Sequence, residues 1–427
     1  MTQNTDDTHA RLTRRSLLAS ALGSAGGLAM AGNAKAQSAI DFFLQEQIRG
    51  QGGLDERFDD TARGVIPVTS TEPMFSATSA VNLERAVRQY SMIYSQGGWP
   101  LVPDTVTLRV GVRHDNVRVL RTRLMMSGDL DQQAGISEIF DSYVEAGVRR
   151  FQQRHGVVPD GVVRRDSFAA LNIPVGPRLQ QLETNLVRVR AMSGYLGDRY
   201  VMVNIPAAAL EAVENGSVVS RHTAIVGKVD RQTPILSSRI HELNFNPYWT
   251  VPVSIIRRDL IPKMQEDPTY LARNRIRIFD WRSGDELQPE QIDWTTEQAT
   301  EYMFRQDPGE INSLGTVKIN FHNQHQVYLH DTPTRTLFGE DYRFLSSGCV
   351  RVQNIRELVT WLLRDEAGWN RARVDEVIRT GERLDVRITN PSAIYTNYIT
   401  AWSTSDGIVN FRDDIYGRDG IPSVAQN

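Results

Sequence analysis

Hydrophobic patterning along the chain passes through two periods. From Val81 the apolar residues Val81, Ala86, Val87, Tyr90 and Ile93-Tyr94 recur at helical spacing, and the pattern stops at Gly97-Gly98, ahead of Trp99-Pro100. Val117, Leu120 and Leu124 mark one face of a second helix after His114-Asp115. Val144, Val148 and Phe151 mark a third, closed by Gly156 just past His155. Pro159-Asp160-Gly161 reads as a turn, and Asp166 or Ser167 as the cap of a short helix ending at Leu171. Leu179, Leu182, Leu186 and Val189 predict one more amphipathic helix, which should dock on the segment that follows.

From Arg199 the period falls to two. Val201, Val203 and Ile205 alternate, and Glu214-Asn215-Gly216 supplies a hairpin turn before Val218-Val219 and Thr223 to Val226. Ile240 to Phe245 continues the strands. Residues 254–312 then break the pattern with charged stretches of helical character, Ile255 to Glu266 and Thr296 to Phe304. An insertion of that length between strands predicts a lid or clamp. Strands resume with Val317 to Phe321 and Gln326 to His330 around a turn at Asn323-Gln324. A helix carrying Ile355, Leu358, Val359 and Leu362-Leu363 follows, then a last strand, Leu384 to Ile388. The pattern predicts an α+β, multi-domain chain: a helical scaffold at 81–106 and 174–196, a three-helix module at 107–173, and mainly antiparallel strands at 197–390 with an insertion at about 254–312. Residues 37–80, with Gly50, Gly52, Gly53, Pro67 and Pro73, read as a linker or arm. The 391–427 extension, rich in Tyr, Trp and Asp, is expected to lie along the surface.

Composition narrows this picture. A length of 427 residues allows two or three domains with real cores. The net charge of −3, with no basic tract, argues against a nucleic-acid partner. No apolar run after the N-terminus approaches the roughly 20 residues that span a bilayer. The N-terminus itself reads as an address. Thr13-Arg14-Arg15-Ser16-Leu17-Leu18 opens a weakly apolar run to Met30, and Ala34-Lys35-Ala36 stands as a cleavage site before Gln37. The paired arginines resemble a twin-arginine export signal, with Ala19 where a Lys is common, and predict a periplasmic protein with residues 1–36 removed.

Export sharpens the question posed by Cys349, which is the chain's one cysteine. A thiol with no disulfide partner in an oxidising compartment is either a buried apolar filler or a reactive group. His330 lies upstream in a strand on which it shares a face with Tyr328, while Val327 and Leu329 point the other way. Cys and His together are the minimum equipment of a thiol nucleophile. In Ser346-Ser347-Gly348-Cys349 the glycine permits a tight turn, on which the N–H groups of Ser347, Gly348 and Cys349 could converge on an oxyanion. No metal or other cofactor is expected. His9 and His155 have no ligand neighbours, and no Cys or acidic set accompanies His322 and His325.

His330-Asp331-Thr332-Pro333 followed by Ser346-Ser347-Gly348-Cys349-Val350-Arg351-Val352 resembles the active-site motif of the L,D-transpeptidases, the cysteine enzymes that remodel peptidoglycan. Val226-Gly227-Lys228, Arg231-Gln232-Thr233-Pro234 and Asn246-Pro247-Tyr248-Trp249-Thr250-Val251-Pro252 resemble the large, multi-domain branch of that family, as does the insertion before the His strand. Val148-Arg149-Arg150-Phe151-Gln152 with Asp160-Gly161 and Phe168 to Asn172 resembles the three-helix peptidoglycan-binding module. The resemblance implies a mainly antiparallel β-sandwich catalytic domain at 197–390 with an inserted helical cap at about 254–312, Cys349 as nucleophile and His330 as general base and acid. It also implies an oxyanion hole at Ser347, Gly348 and the Cys349 backbone, with Asp331 orienting the ring through its main chain. Arg351 would order the site or bind a substrate carboxylate, and Tyr248, Trp249 and Tyr342 would wall the cleft. Many members have His where this chain has Ser347. The implied reaction releases D-Ala from a tetrapeptide stem through a thioester, which the side-chain amine of a second stem's meso-diaminopimelate resolves into a 3→3 cross-link. Carbapenems should acylate the thiol. Water as acceptor would instead give an L,D-carboxypeptidase, and an outer-membrane protein's amine an anchoring enzyme. A wall-binding scaffold working through residues 107–173 is the alternative of another class.

Overall fold

In this computed structural model the described residues are 70–420, apart from 77, 193 and 195. The expected export segment, most of the 37–80 arm and the chain beyond 420 lie outside them. Helix α1 (Ser79–Ser95) buries Leu83, Ala86 and Tyr90 and ends ahead of Gly97 and Gly98, both with positive φ. Helices α2 (Asp115–Met126), α3 (Ser142–Arg154) and α4 (Arg165–Leu171) share a core of their own around Val117, Leu120, Leu124, Val148, Phe151 and Leu171. The His114 ring caps α2 by accepting from Asn116 N–H, and Asp141 caps α3 by accepting from Val144 N–H. Neither Asp166 nor Ser167 caps α4: the helix starts after Arg164 without a side-chain cap, and Ser167 is buried against the Gln152 amide. Gln152 spends its amide on Asp160, Val162 and Ser167, and its carbonyl on Gly161 N–H. The Phe-Gln and Asp-Gly pairs of the module therefore build its turn from within.

Helix α5 (Val175–Ala191) lies with α1 on strands β1 (Arg199–Asn204) and β2 (Ala209–Glu214). Along β1 the alternation is clean: Tyr200 and Met202 face the helices, while Val201 and Val203 face the main core. Asn215 and Gly216, both with positive φ, turn β2 into β3 (Ser217–Gly227), and β4 (Leu236–Phe245) follows. The cap begins with β5 (Trp249–Thr250) and a continuous helical run: α6 (Val253–Ile255), a π-turn at Ile256–Leu260, and α7 (Ile261–Glu266). After α8 (Tyr270–Arg273) come β6 (Ile276–Phe279), β7 (Glu286–Leu287) and β8 (Met303–Gln306). The expectation of a helical cap thus holds for residues 253–273. The stretch read as helical at Thr296 to Phe304 is instead a short 3-10 turn leading into β8, which pairs with both β5 and β6. Phe304 at its centre is fully buried, so cross-strand packing outweighs the local helical pattern.

The remaining strands are β9 (Val317–Phe321), β10 (Leu329–His330), β11 (Phe344–Ser346), β12 (Val350–Val352) and β13 (Leu384–Asn397). Helices α9 (Ile355–Leu362) and α10 (Arg371–Thr380) precede β13. Strand order β11-β3-β12-β10-β9-β4-β13-β1-β2 is supplemented by a β2–β3 pairing. Thr223 accepts from Gln353 N–H on the β12 side of β3, while Ala224 donates to Ala208 on the β2 side. Strand β3 is therefore paired along both edges, and the expected sandwich is joined into one hydrogen-bonded ring. Most pairings are antiparallel; β1–β13, β10–β12 and β11–β3 are parallel.

Beyond Pro391 the chain departs from the expected surface extension. Strand β13 runs through the proline because its register shifts between Arg387 and Ser392, and a bulge needs no donor there. The hairpin of β14 (Ala401–Ser403) and β15 (Val409–Phe411) then enters the core under α1 and α5, and Tyr398, Ile415 and Tyr416 enter the main core. Phe411 is 1% exposed and is enclosed by Tyr90, His155 and the Arg178 guanidinium. Phe411→Ala should lower stability by about 3–5 kcal/mol, read as a drop in the midpoint of chemical unfolding. A loss below about 1 kcal/mol would restore the surface assignment.

Candidate active site

Strands β10 and β12 pair in parallel with Leu329 opposite Val350 and His330 opposite Arg351. Leu329 and Val350 point into the core of the ring. Alternation therefore turns Tyr328, His330 and Arg351 to its outer face, and Lys318 joins them from β9, opposite His330; Cys349, just before β12, packs against the ring core while its sulfur faces Tyr328. The cap covers this face, with Tyr328 packed against its core.

Cys349 is a half-buried free thiol just before β12. The main-chain N–H and the phenol of Tyr328 both face its sulfur, and Lys318 and Arg351 stand close enough to favour a thiolate. Burial opposes all of them and prevails, pushing the Cys349 thiol up to about 11. The Tyr328 phenol accepts from the Trp249 indole, and burial raises its pKa well above the ordinary phenol value. Lys318 lies 4.4 Å from the centre of the Tyr328 ring, and burial lowers its pKa. Burial likewise pulls Arg351 down to about 10, against the opposing influence of Cys349.

His330 is 5% exposed and its Nδ1 lies 2.6 Å from the Asp331 carbonyl oxygen. A carbonyl only accepts, so Nδ1 carries the proton and Nε2 keeps its lone pair. Burial, then Arg351, pulls the ring pKa down to about 3. Asp331 acts on the imidazole through its main chain, while its carboxylate accepts from the N–H and hydroxyl of Thr316. At rest the pair is a neutral thiol and a neutral imidazole.

The turn before Cys349 is held from several directions. Gly348 has φ of 114°, which a side chain would strain, although the space around it would admit a Cβ. Its N–H donates to Ser346 Oγ (3.1 Å), and the Ser346 hydroxyl donates to the Cys349 carbonyl (2.5 Å). Of the N–H groups expected to face an oxyanion, that of Gly348 is thus engaged by a neighbouring hydroxyl in this structure. Thr233 Oγ1 donates to the Gly348 carbonyl (2.9 Å), and Arg231 Nη1 donates to Ser347 Oγ (3.0 Å). The 231–233 loop lies so close over Gly227 that a Cβ there would meet the Arg231 carbonyl at 2.2 Å. Tyr416, from the C-terminal segment, donates its hydroxyl to the Gly227 carbonyl (2.5 Å).

The expected cleft walls divide. Trp249 is buried in the cap core and reaches the site through Tyr328. Tyr248 and Tyr342 are exposed, the first stacked under Arg305 at 4.5 Å and the second beside Phe344. Sequence reasoning passed over Tyr328, Lys318, Arg231, Thr233 and Asp259. Tyr328 carried a signal in its shared face with His330, and Arg231 and Thr233 in the family-like stretch Arg231 to Pro234. Among the described residues, no group of three or more His, Cys, Asp or Glu could hold a metal ion, and no helix is long and apolar enough to cross a membrane.

An activatable thiol and a lone-pair imidazole on adjoining strands, beside a turn with N–H donors, are the parts of an acyl-transfer site. The L,D-transpeptidase catalytic domain (YkuD) model matches residues 198–381, and the model described as "Putative peptidoglycan binding domain" matches residues 113–171. A Haemophilus influenzae protein named "Putative L,D-transpeptidase" is 36% identical over 248 residues, 58% of this chain and 50% of that relative. The chain thus spans about half the length of that curated relative. Among solved structures, an L,D-transpeptidase from Mycobacterium smegmatis aligns at 13% identity and a TM-score of 0.23, over 47% of this chain and 58% of that one. One from Xylanimonas cellulosilytica aligns at 16% identity and a TM-score of 0.22, over 69% of this chain and 99% of that one. Residues 198–381 thus correspond to an L,D-transpeptidase catalytic domain and residues 113–171 to a peptidoglycan-binding domain.

A thiol held at about 11 makes little thiolate at neutral pH. Its alkylation by iodoacetamide should therefore rise about tenfold per pH unit from neutrality to beyond pH 10. A rate that levels off near an ordinary thiol pKa of about 8.5 would show that burial does not control the sulfur.

Proposed function

We propose that this chain is an exported L,D-transpeptidase that joins peptidoglycan stems through a thioester on Cys349. The observation that carries the reading is the thiol just before β12 and the Nε2 lone pair of His330 on the adjoining strand β10, in a domain of this family. The Cys349 sulfur attacks the carbonyl carbon between the L-centre of meso-diaminopimelate and the terminal D-Ala, while His330 Nε2 takes the thiol proton. The carbonyl electron pair moves to an oxyanion facing the Ser347 and Cys349 N–H groups. Collapse of this intermediate breaks the C–N bond, and the imidazolium gives its proton to the departing D-Ala amine, leaving a thioester. The side-chain amine of a second stem then attacks the thioester and gives its proton to His330. The amide of a 3→3 cross-link forms, and the thiol is regenerated.

The buried Arg351 and the half-buried Lys318 suit a substrate that carries carboxylates. They also stabilise negative charge on sulfur as it is displaced. Peptidoglycan as substrate is supported by the second matched domain. The twin-arginine motif and the A-x-A site at residues 34–36 support export to the periplasm, where that substrate lies.

Purified protein incubated with tetrapeptide muropeptides should yield dimers with loss of D-Ala, followed by mass spectrometry. Cys349→Ala should abolish them, and His330→Asn should lower kcat by about 10²–10⁴-fold. Cross-linking retained in Cys349→Ala would overturn the mechanism. Trimmed monomers alone would mean an L,D-carboxypeptidase. No product, with wall binding intact, would mean a scaffold. Acylation of Cys349 by a carbapenem, seen as a mass increase absent from Cys349→Ala, is expected in the same preparation.

A further inference from the structure

One buried ion pair ties the cap to the turn that carries the nucleophile. Asp259 lies in the π-turn Ile256–Leu260, and its side chain is fully buried. A π-turn holds an extra residue and so rotates its side chains off the regular helix face; such turns gather at functional sites. Both Asp259 oxygens engage one guanidinium: Arg231 Nη1 at 2.5 Å from Oδ2, and Nη2 at 3.1 Å from Oδ1. The same Nη1 donates to Ser347 Oγ at 3.0 Å. A planar guanidinium can serve a carboxylate with two N–H groups and still hold a third group in fixed geometry, which an ammonium cannot. Around this link, Lys228 N–H donates to the Ser346 carbonyl and Thr233 to the Gly348 carbonyl, so the Arg231 loop follows the nucleophile turn along its length.

We propose that Arg231 and Asp259 are positioning residues, which pass the seating of the cap to the Ser347-Gly348-Cys349 turn and so align its N–H donors for acyl transfer. The proposal rests on the catalytic reading above and adds a requirement to it: a seated cap and an aligned turn are one state. Ser347 is the receiving end. Its hydroxyl accepts from a cation anchored in the cap.

A pair that merely stabilises the cap would give a different result from one that aligns the turn, and Ser347 separates them. Ser347→Ala removes the hand-off and leaves the Arg231–Asp259 pair intact. It should lower kcat for tetrapeptide turnover, and the rate of Cys349 acylation by a carbapenem, by about tenfold, with KM changed less than about twofold. Ser347→Thr keeps the hydroxyl and should restore the rate to within about twofold. Asp259→Asn should lower the rate at least as far, and the double variant S347A/D259N should be no slower than Asp259→Asn alone, since both break one path. Hydrogen exchange gives a readout that needs no substrate. Ser347→Ala should speed exchange at residues 345–350 only, and Asp259→Asn at both 345–350 and 253–266. Wild-type rates in Ser347→Ala, losses that multiply in the double variant, or unchanged exchange at 345–350 would each overturn the proposal. Should Asp259→Asn fail to fold, the Ser347 pair decides alone. Should the unaltered protein neither join muropeptides nor take an acyl group, the catalytic reading falls, and the exchange at 345–350 judges the link by itself.

Discussion

The register between β10 and β12 fixes most of what the site can do. Leu329 opposite Val350 sends two apolar side chains into the ring, and only then can His330 and Arg351 stand together on the outer face. A slip of one residue would exchange the two sets, burying an imidazole among aliphatic side chains and baring Leu329 to the cleft. Strand β10 is only two residues long, so its own ladder holds it weakly. Its neighbours and the core hold it instead. Leu329 pairs with Ile319 on its other side, Asp331 N–H donates to Val317, and Leu329 has no exposed surface. Stability and site geometry therefore draw on the same contacts.

Burial and charge pull the thiol in opposite directions. Lys318, Arg351 and the Tyr328 donors favour the thiolate, while removal from water favours the thiol and prevails. The imidazole responds to the same environment with the opposite sign: burial and Arg351 keep it neutral. A resting ion pair is thereby disfavoured at both ends. In the proposed reaction, charge separates only as the sulfur attacks, when the cations and N–H donors gain a developing charge to act on. The same depressed imidazole also contributes to stability. An unfolded His330 gains its proton near an ordinary pKa of about 6.5, and the folded one only near 3. Its contribution is complete above the unfolded value and is lost as pH falls between the two.

Much of this was legible in the chain because periodicity records which face is buried. The α1, α2, α3 and α5 helices, strands β1, β3 and β4 of the ring and the β9–β10 hairpin all follow from it, as does the shared face of Tyr328 and His330. Where the reading failed, something distant outweighed a local pattern. Phe304 was drawn into β8 by partners in β5 and β6. Helix α10 was overlooked because it is charged, with only Val374 and Val377 buried. Pro391 looked like a strand end because a bulge cannot be read from one strand. In the site, the shared face of Tyr328 and His330 and the Asp331 carbonyl beside the imidazole were accessible from spacing and motif. The roles of Arg231, Thr233, Lys318 and Asp259 were not, since each depends on a contact between segments far apart in sequence. The contact of the Gly348 N–H was missed for a nearer reason: the hydroxyl that accepts from it, on Ser346, belongs to the same turn.

That turn also explains why the C-terminal segment is built into the core. Glycine has the most conformational freedom to lose, so a turn pivoting on Gly348 would not by itself hold N–H donors in one direction. Thr233 fixes the Gly348 carbonyl, Arg231 fixes the Ser347 hydroxyl, and Lys228 N–H fixes the Ser346 carbonyl. All three donors lie on one loop, and that loop needs support of its own. It finds part of it in Tyr416, whose hydroxyl donates to Gly227 and accepts from Thr233 N–H, and in Arg418, which donates to Gln232. Tyr416 is in turn held by the Tyr398 hydroxyl, and Arg188 of α5 pairs with Asp419. The path from helix α5 through the terminal segment to Gly348 is continuous. A site whose catalysis depends on preorganised main-chain donors needs such a path, because donors that must reorient during the reaction forfeit much of what they contribute.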